Sequence, residues 1–347
     1  KFDTSNVKSM DYMFYNCSKL TSITFGDKFD TSNVKSMDYM FYNCSKLTSI
    51  TFGDKFDTSN VKSMDYMFYN CSSLTDLYLS NFNTSKVASM YDMFSYCSSL
   101  TSLDVSNFDT SKVTNMYSMF YNCSKLTSIT FGDNFNTSNV TAMNSMFSNC
   151  SKLTSIDLSN FDTGNVTNMS SMFYYCSALT YLDISSFDMS NVTNYSSMFY
   201  NSYPKIIKTP AVVKDNLTLN NISLADNLYM VKGGDGTLLK SDSQFPAEAT
   251  LLRVNKLKGS LSSYNNATSI QFKKYSEVKD KINGWLSEDV SYYSDGTVKI
   301  YKATETSTDY IITCPDLTIE NQSFQDEVIY LSSGSYLFSD SNTGKYF

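Results

Sequence analysis

The sequence predicts an α/β repeat solenoid of short parallel strands and short helices over residues 1–207, followed by a mainly β domain over residues 208–347. Three observations carry that prediction. Phenylalanine recurs at Phe2, Phe29, Phe56, Phe82, Phe108, Phe135, Phe161 and Phe187, in steps of 26 or 27 residues, a period that signals stacked coils. Within each step apolar residues fall first at helical and then at strand spacing. After Phe199 the pattern decays: Tyr195 replaces the repeat methionine, Ser202 the cysteine and Lys205 the leucine, with Pro204 and Pro210 punctuating the exit.

The elements of one unit are read from residues 29–52. Asp30, Thr31, Ser32 and Asn33 supply side-chain oxygens of the kind that cap a helix N-terminus. Val34, Met37, Met40, Phe41, Cys44 and Leu47 then form one stripe of a short helix, with Lys35, Asp38 and Tyr39 opposite. Leu47, Ile50 and Phe52 follow as LxxIxF, and the alternation of Ile50 and Phe52 reads as a strand of three to five residues. Stacking would pair equivalent strands in a parallel ladder roughly 4.8 Å apart. The 27-residue steps contain FGDKF or FGDNF and the 26-residue steps SNF or SSF, so the extra residue falls in the connection leaving the strand. Residues 1–27 and 28–54 are identical, which suits length and multivalency better than a specialised active site.

Composition narrows the function. The net charge is -7, and Arg253 is the single arginine among 27 basic residues, which argues against a nucleic-acid partner. There is no histidine, so the usual general base, imidazole metal ligand and near-neutral pH switch are missing. No apolar run approaches the roughly 20 residues that span a bilayer. The chain starts at Lys1 with neither methionine nor signal pattern, so we expect a processed or excised piece whose targeting segment or anchor lies outside it.

Cys17, Cys44, Cys71, Cys97, Cys123, Cys150 and Cys176 occupy one position of the repeat. An odd column of equivalent sites is not a disulfide framework, and no CxxC spacing offers zinc ligands, so these read as a buried structural column. Oxidation could still join neighbouring thiols if they came close enough. Sixteen of the 17 methionines lie in the repeats, mostly as MxxMF, and read as core. No cofactor and no metal site is expected.

The words FDTGNVTNMSSMF (Phe161 to Phe173) and CSKLTSIDLSNF (Cys150 to Phe161) resemble the repeats of BspA-like leucine-rich repeat proteins of bacterial and some protist surfaces, repeats shared with mycoplasma surface lipoproteins. The resemblance covers about residues 1–207. It implies a right-handed solenoid, extracellular or cell-surface display, and adhesion to host, matrix or neighbouring-cell proteins or glycans. It carries no catalytic residues over.

Two faces are candidates for contact. The strand side should present Thr24, Thr51, Tyr78, Asp104, Thr130, Asp157 and Asp183, with Tyr181 beside them, a hydroxyl-rich and acidic sheet. The helix side should present an outward column of Tyr12, Tyr39 and Tyr66, with Tyr15, Tyr42, Tyr69, Tyr121, Tyr174 and Tyr200 nearby; aromatic columns that cannot turn inward favour contact with another molecule. Packing over helix ends is the bland alternative.

Residues 208–347 resemble no family, and contain the strand-like pieces LTLNNISL, LYMVKGGDGTLLK, TVKIYKA, DYIITC, EVIYLSS and SYLFSD. The run from Gly233 to Gly236 reads as a hairpin turn rather than a phosphate loop, as does Asp295-Gly296. A helix is expected near Tyr275 to Leu286, with Trp285 inward. Asn83, Asn136, Asn165, Asn216, Asn266 and Asn321 begin Asn-x-Ser/Thr triplets, which matter only in a eukaryotic source. The leading reading is therefore a non-enzymatic surface adhesin or scaffold. The alternative is a self-assembling filament subunit, in which the C-terminal domain of one copy covers the first coil of the next. A hydrolase built on Glu277, Asp280, Glu288, Asp289, Asp326 and Glu327 is a distant third.

Overall fold

The computed structural model describes residues 3–224, 228–231 and 238–256, and beyond these the backbone of six strands between residues 292 and 346. The chain forms two units, Lys1–Leu224 with Gln244–Glu248, and Ala225–Ser243 with Ala249–Phe347.

The first unit is a stack of coils in which equivalent residues of consecutive repeats lie side by side. Ser9, Ser36, Ser63, Ser89, Asn115, Ala142, Asn168 and Asn194 bridge in parallel from each coil to the next. On the opposite flank the strands β1 (Ser22–Thr24) and β2 (Ser49–Thr51), β3 (Ser102–Val105) and β4 (Ser128–Phe131), and β5 (Tyr181–Asp183) and β6 (Ile206–Lys208) pair in parallel, two by two. The third and sixth coils pass residues 76–78 and 155–157 without a strand, so the expected ladder is interrupted. Tyr78 and Asp157 therefore sit on connecting backbone rather than on a sheet.

No helix occurs among the described residues, which corrects the α/β expectation. The apolar stripe is carried instead by a chain of β-turns. Met40, Tyr42, Cys44 and Leu47 N–H groups donate three residues back, to Met37, Tyr39, Phe41 and Cys44. The intervening N–H groups of Met37, Tyr39, Phe41 and Asn43 donate to Ser63, Asp65, Met67 and Tyr69 of the next coil, at 2.7–3.3 Å. Two residues per coil hold positive φ, such as Tyr39 (57°) and Asn43 (58°), and a left-handed residue ends any α-helical ladder. A helix this short would be marginal alone, whereas a neighbouring coil satisfies every second N–H. Successive turns advance about three residues, so they bury the same i, i+3, i+4 positions that a helix would.

The word DTSN is likewise not a helix cap. Asp30 accepts from the backbone N–H and hydroxyl of Ser32, closing a local turn (3.0 and 2.6 Å). The Thr31 hydroxyl donates to the Asp57 carbonyl of the next coil at 2.7 Å, and the Asn33 amide to the Ser5 carbonyl of the previous one at 2.8 Å. The same threonine bond recurs at Thr4, Thr58, Thr84, Thr110, Thr137 and Thr163.

The core is built of columns. Phe14, Phe41, Phe68, Phe94, Phe120, Phe147, Phe173 and Phe199 stack ring on ring at 5.3–5.7 Å, with planes within 14° of parallel. From the second coil onward the valine, both methionines, the phenylalanine, the cysteine and the leucine of each turn segment are buried, until Tyr195, Ser202 and Lys205 intervene in the eighth. Each such apolar side chain contributes about 1.5–3 kcal/mol. In the longer steps glycine is needed because the coils meet closely: a Cβ on Gly132 would lie 1.9 Å from the Ser106 carbonyl oxygen, and one on Gly53 2.5 Å from that of Phe25.

Beyond the eighth coil the chain continues over the stack to Leu224. Val212 bridges Asp188, the Phe199 N–H donates to Ile222, and Leu217, Leu219, Ile222 and Leu224 are buried. The piece LTLNNISL forms turns here rather than the expected strand.

In the described residues of the second unit, β7 (Leu228–Val231) pairs antiparallel with β8 (Leu238–Leu239) and with β9 (Thr250–Lys256). β9 runs parallel to β13 (Gln322–Leu331), which makes a long antiparallel hairpin with β12 (Tyr310–Ile319). β10 (Tyr292–Ser294) pairs with β11 (Lys299–Lys302), β11 with β12, and β14 (Phe338–Asp340) with β12 and with β15 (Lys345–Tyr346), all antiparallel. The glycine run at 233–236, Asp295-Gly296, the expected helix at 275–286 with Trp285, and Asn266, Glu277, Asp280, Glu288, Asp289 and Asn321 lie outside the described residues.

Candidate contact surface

Two tyrosine rows cross the turn flank. In the first, Tyr12, Tyr39 and Tyr66 stack at 4.8 and 4.6 Å with planes 8° and 15° apart. In the second, Tyr15, Tyr42 and Tyr69 stack at 4.9 and 4.7 Å. Edge contacts tie the rows together, such as Tyr12 to Tyr15 at 5.4 Å and Tyr39 to Tyr42 at 5.5 Å. The column expected to face outward is thus a two-wide ribbon, exposed at Tyr12 and Tyr15 and half-buried at Tyr39, Tyr42, Tyr66 and Tyr69.

The ribbon extends through two further coils with residues that sequence alignment misses. In the fourth coil Asp92 stands at the position of Tyr39, and tyrosine appears one place earlier, as Tyr91. Its ring nevertheless meets Tyr66 at 5.0 Å and stacks on Tyr117 at 4.6 Å. Tyr96, one place after the position of Tyr42, meets Tyr69 at 5.3 Å and Tyr121 at 5.2 Å. The sixth coil has serine and asparagine there, and aromatics resume with Tyr174, Tyr175 and Tyr200. A tyrosine in every coil from the first to the fifth was the available signal, obscured by the shift of one place.

Beneath the ribbon runs a row of carboxylates. Asp11 accepts from the Ser36 hydroxyl and Asp38 N–H, Asp38 from Ser63 and the Asp65 N–H, and Asp65 from Ser89 and the Tyr91 N–H, at 2.5–2.9 Å. Burial raises Asp65 against the bonds from Ser89 and Tyr91. Asp92 turns inward and is bonded by Ser95; burial, with a smaller push from Asp65, lifts it to about 6. Burial also raises the phenols, Tyr69 to about 12. Tyr66 is raised chiefly by burial, with the Tyr91 phenol beside it adding to the shift.

On the strand flank Thr24, Thr51, Tyr78, Asp104, Thr130 and Asp157 are exposed, and Tyr78 stands out at 75%. Asp104 and Asp157 are held down by bonds from Ser106 and Ser159. Asp183 is half-buried, which works to raise it, but bonds from Lys208 (2.8 Å), Ser185 and Tyr181 outweigh burial and hold it at about 2. These residues do not converge on one spot.

The seven repeat cysteines are free thiols, six buried and Cys17 half-buried. From Cys44 on, each donates to the carbonyl of a phenylalanine in the preceding coil at 3.0–3.2 Å, as Cys71 does to Phe41. Ser202 continues the row with a hydroxyl to Phe173. Burial pushes Cys44 to about 11 and Cys176 to about 12. Among the described residues no cluster of histidine, cysteine or carboxylate could hold a metal ion, and no helix is long and apolar enough to cross a membrane.

Comparison with known proteins bears on the first unit. Among solved structures the chain is similar to an internalin from Listeria monocytogenes, at 13% identity over 60% of this chain and 72% of that one, with a TM-score of 0.22. It is also similar to a leucine rich cell surface protein from Faecalibacterium prausnitzii, at 16% identity over 53% and 81%, with a TM-score of 0.16. Scores this low carry no argument about the fold. No curated protein matches. The family described as "Mycoplasma protein of unknown function, DUF285" matches three times, over residues 1–53, 48–132 and 127–208, the span of the stacked coils. With more than half its length so matched, the chain belongs to the DUF285 family.

Proposed function

We propose that this is a non-enzymatic surface repeat protein of the BspA-like, adhesin or scaffold type, and that it holds a host, matrix or neighbouring-cell protein with the tyrosine ribbon outside the cell. One observation carries the reading: the rings meet from coil to coil at 4.6–5.3 Å, stacked face to face through the first three coils and between Tyr91 and Tyr117, and tilted where Tyr91 and Tyr96 meet the third coil and Tyr96 meets Tyr121. Where the rings stack, in the first three coils, their inner π-faces are occupied, and what remains there for a partner is a double row of ring edges and phenol hydroxyls. A sugar stacks on a free aromatic face, which the ribbon withholds between coils. A protein partner uses tyrosine for edge contacts, apolar area and hydrogen bonding together, and tyrosine is enriched at such interfaces. The identical early coils favour many equal contacts over one specialised pocket.

The test is binding of the full chain to panels of extracellular proteins and of glycans, with Tyr39→Ser and Tyr42→Ser combined as the probe. Serine stands naturally at both positions in other coils (Ser118 and Ser95), so the fold should tolerate it. We expect protein ligands, and a loss of about 2 kcal/mol per anchoring tyrosine, roughly thirty-fold in Kd. Tyr78→Ala on the strand flank should leave binding unchanged. Undiminished binding by the serine variant, or a preference for glycans, would overturn the proposal.

A further inference from the structure

The ribbon is bordered by lysine. Each of the first three coils enters it past Lys8, Lys35 or Lys62, four residues before Tyr12, Tyr39 and Tyr66. The first two coils leave it at Lys19 and Lys46, four residues after Tyr15 and Tyr42. All five lysines are exposed. Bonds between coils hold the first row in line: the Lys35 N–H donates to the Lys8 carbonyl at 2.8 Å, and the Lys62 N–H to that of Lys35 at 2.9 Å. Lys8 reaches the Asn33 side chain at 3.3 Å, and among the described residues none of the five pairs with a carboxylate. Elsewhere the chain does pair its lysines, Lys55 with Asp30 at 3.9 Å and Lys208 with Asp183 at 2.8 Å. The carboxylates nearest the ribbon in sequence, Asp11 and Asp38, are spent on serine hydroxyls and N–H groups of the next coil.

The fold asks for neither residue type. In the fifth to eighth coils the position of Lys8 is threonine (Thr114, Thr141, Thr167 and Thr193), and that of Tyr12 is serine (Ser118, Ser145, Ser171 and Ser197) at the same left-handed φ. A bulky ring is the strained choice at such a backbone. Tyrosine and lysine therefore enter together, on the coils whose rings stack most regularly, and burial of a core explains neither.

We propose that the partner docked on the ribbon is acidic, a protein surface whose carboxylates meet the two lysine rows while its apolar and hydrogen-bonding groups meet the tyrosines. The proposal rests on the ribbon being the docking surface. Exposed ammonium groups at the rim of an interface keep most of their hydration and steer a partner of opposite charge into register. The chain as a whole carries a charge of -7, so an acidic partner is repelled by the molecule and attracted at this one flank. Salt separates the two fields by the sign of its effect, because it screens whichever one governs the encounter. If net charge governs, added salt strengthens binding; if the lysine rows govern, it weakens binding.

The full chain is tested against immobilised poly(Glu,Tyr), poly(Lys,Tyr) and heparin, at low and at raised salt. We expect it to prefer poly(Glu,Tyr) and to lose affinity as salt is added. Lys8→Gln, Lys35→Gln and Lys62→Gln combined should weaken that binding about tenfold, as the loss of three rim pairs of modest strength implies, and should flatten its salt dependence. Lys28→Gln, Lys55→Gln and Lys152→Gln remove the same charge from exposed positions off the ribbon, and should change affinity by less than about twofold. Preference for poly(Lys,Tyr) or heparin, no binding to poly(Glu,Tyr), equal losses in the two triple variants, or binding that tightens with salt defeats the inference. If Tyr39→Ser with Tyr42→Ser abolishes binding to poly(Glu,Tyr) while the ribbon lysine variant retains it, the acidic partner is lost and docking on the ribbon stands. If neither variant loses affinity, both readings fall.

Discussion

The two flanks of each coil obey different rules. On the turn flank every coil keeps two left-handed residues, alternating N–H bonds within and between coils, and a ring of the phenylalanine column, and the first seven keep a thiol whose place Ser202 takes in the eighth. On the strand flank the ladder closes only in pairs, and the 27-residue steps deposit their extra residue beside it. The difference teaches that the stack is held in register by its turns. A string of turns whose every second N–H belongs to the next coil cannot absorb an insertion, because a shift of one residue would exchange the donors facing inward with those facing the neighbour. An open connection can.

Substitutions across the two flanks sharpen or break this comparison. Phe120→Ala removes one ring from an unbroken stack and should cost about 3–5 kcal/mol in denaturant unfolding. Thr130→Ala, exposed on the strand flank of the same coil, should change stability by less than about 0.5 kcal/mol. Equal losses would mean that the turn flank holds no special place. Glycine supplies the next test. Gly132→Ala drives a Cβ into the Ser106 carbonyl and should cost about 2 kcal/mol or more, whereas Gly164→Ser, with only an ordinary contact to Asp162 and the wording of the other coils, should be neutral. A neutral Gly132→Ala would show that the longer connections are slack.

A further test is a pH dependence. The folded-state pKa of Asp92, about 6, lies above its ordinary value of 3.8, so the folded chain binds that proton more tightly than the unfolded one. Stability should therefore rise as pH falls from 7 towards 4, by on the order of 2 kcal/mol, and Asp92→Asn should flatten that slope while raising stability at pH 7. Asp183 acts the other way and in another window: held at about 2, it lends stability above 3.8 that is lost as pH falls through 2. An unchanged slope in Asp92→Asn would remove the buried carboxylate from the account of the ribbon.

Much of this molecule can be read before it folds. The 26–27-residue period, the burial of the methionine, phenylalanine and leucine positions, and the place of the inserted residue all follow from spacing, because equivalent residues must meet when identical units stack. The asparagines at the second left-handed position, such as Asn43 and Asn70, are also legible, since asparagine tolerates that conformation. Tertiary structure alone decided between a helix and a string of turns: both bury residues at i, i+3 and i+4, and the choice rests on N–H partners that lie 26 residues away. It alone put Tyr39 and Ser118 at positive φ, a strain of order 1–3 kcal/mol that neither residue invites and only the neighbouring coils sustain. And it alone joined Tyr91 and Tyr96 to the ribbon, because rings meet by reach across a gap near 5 Å, which forgives a slip of one place that the register of the letters does not.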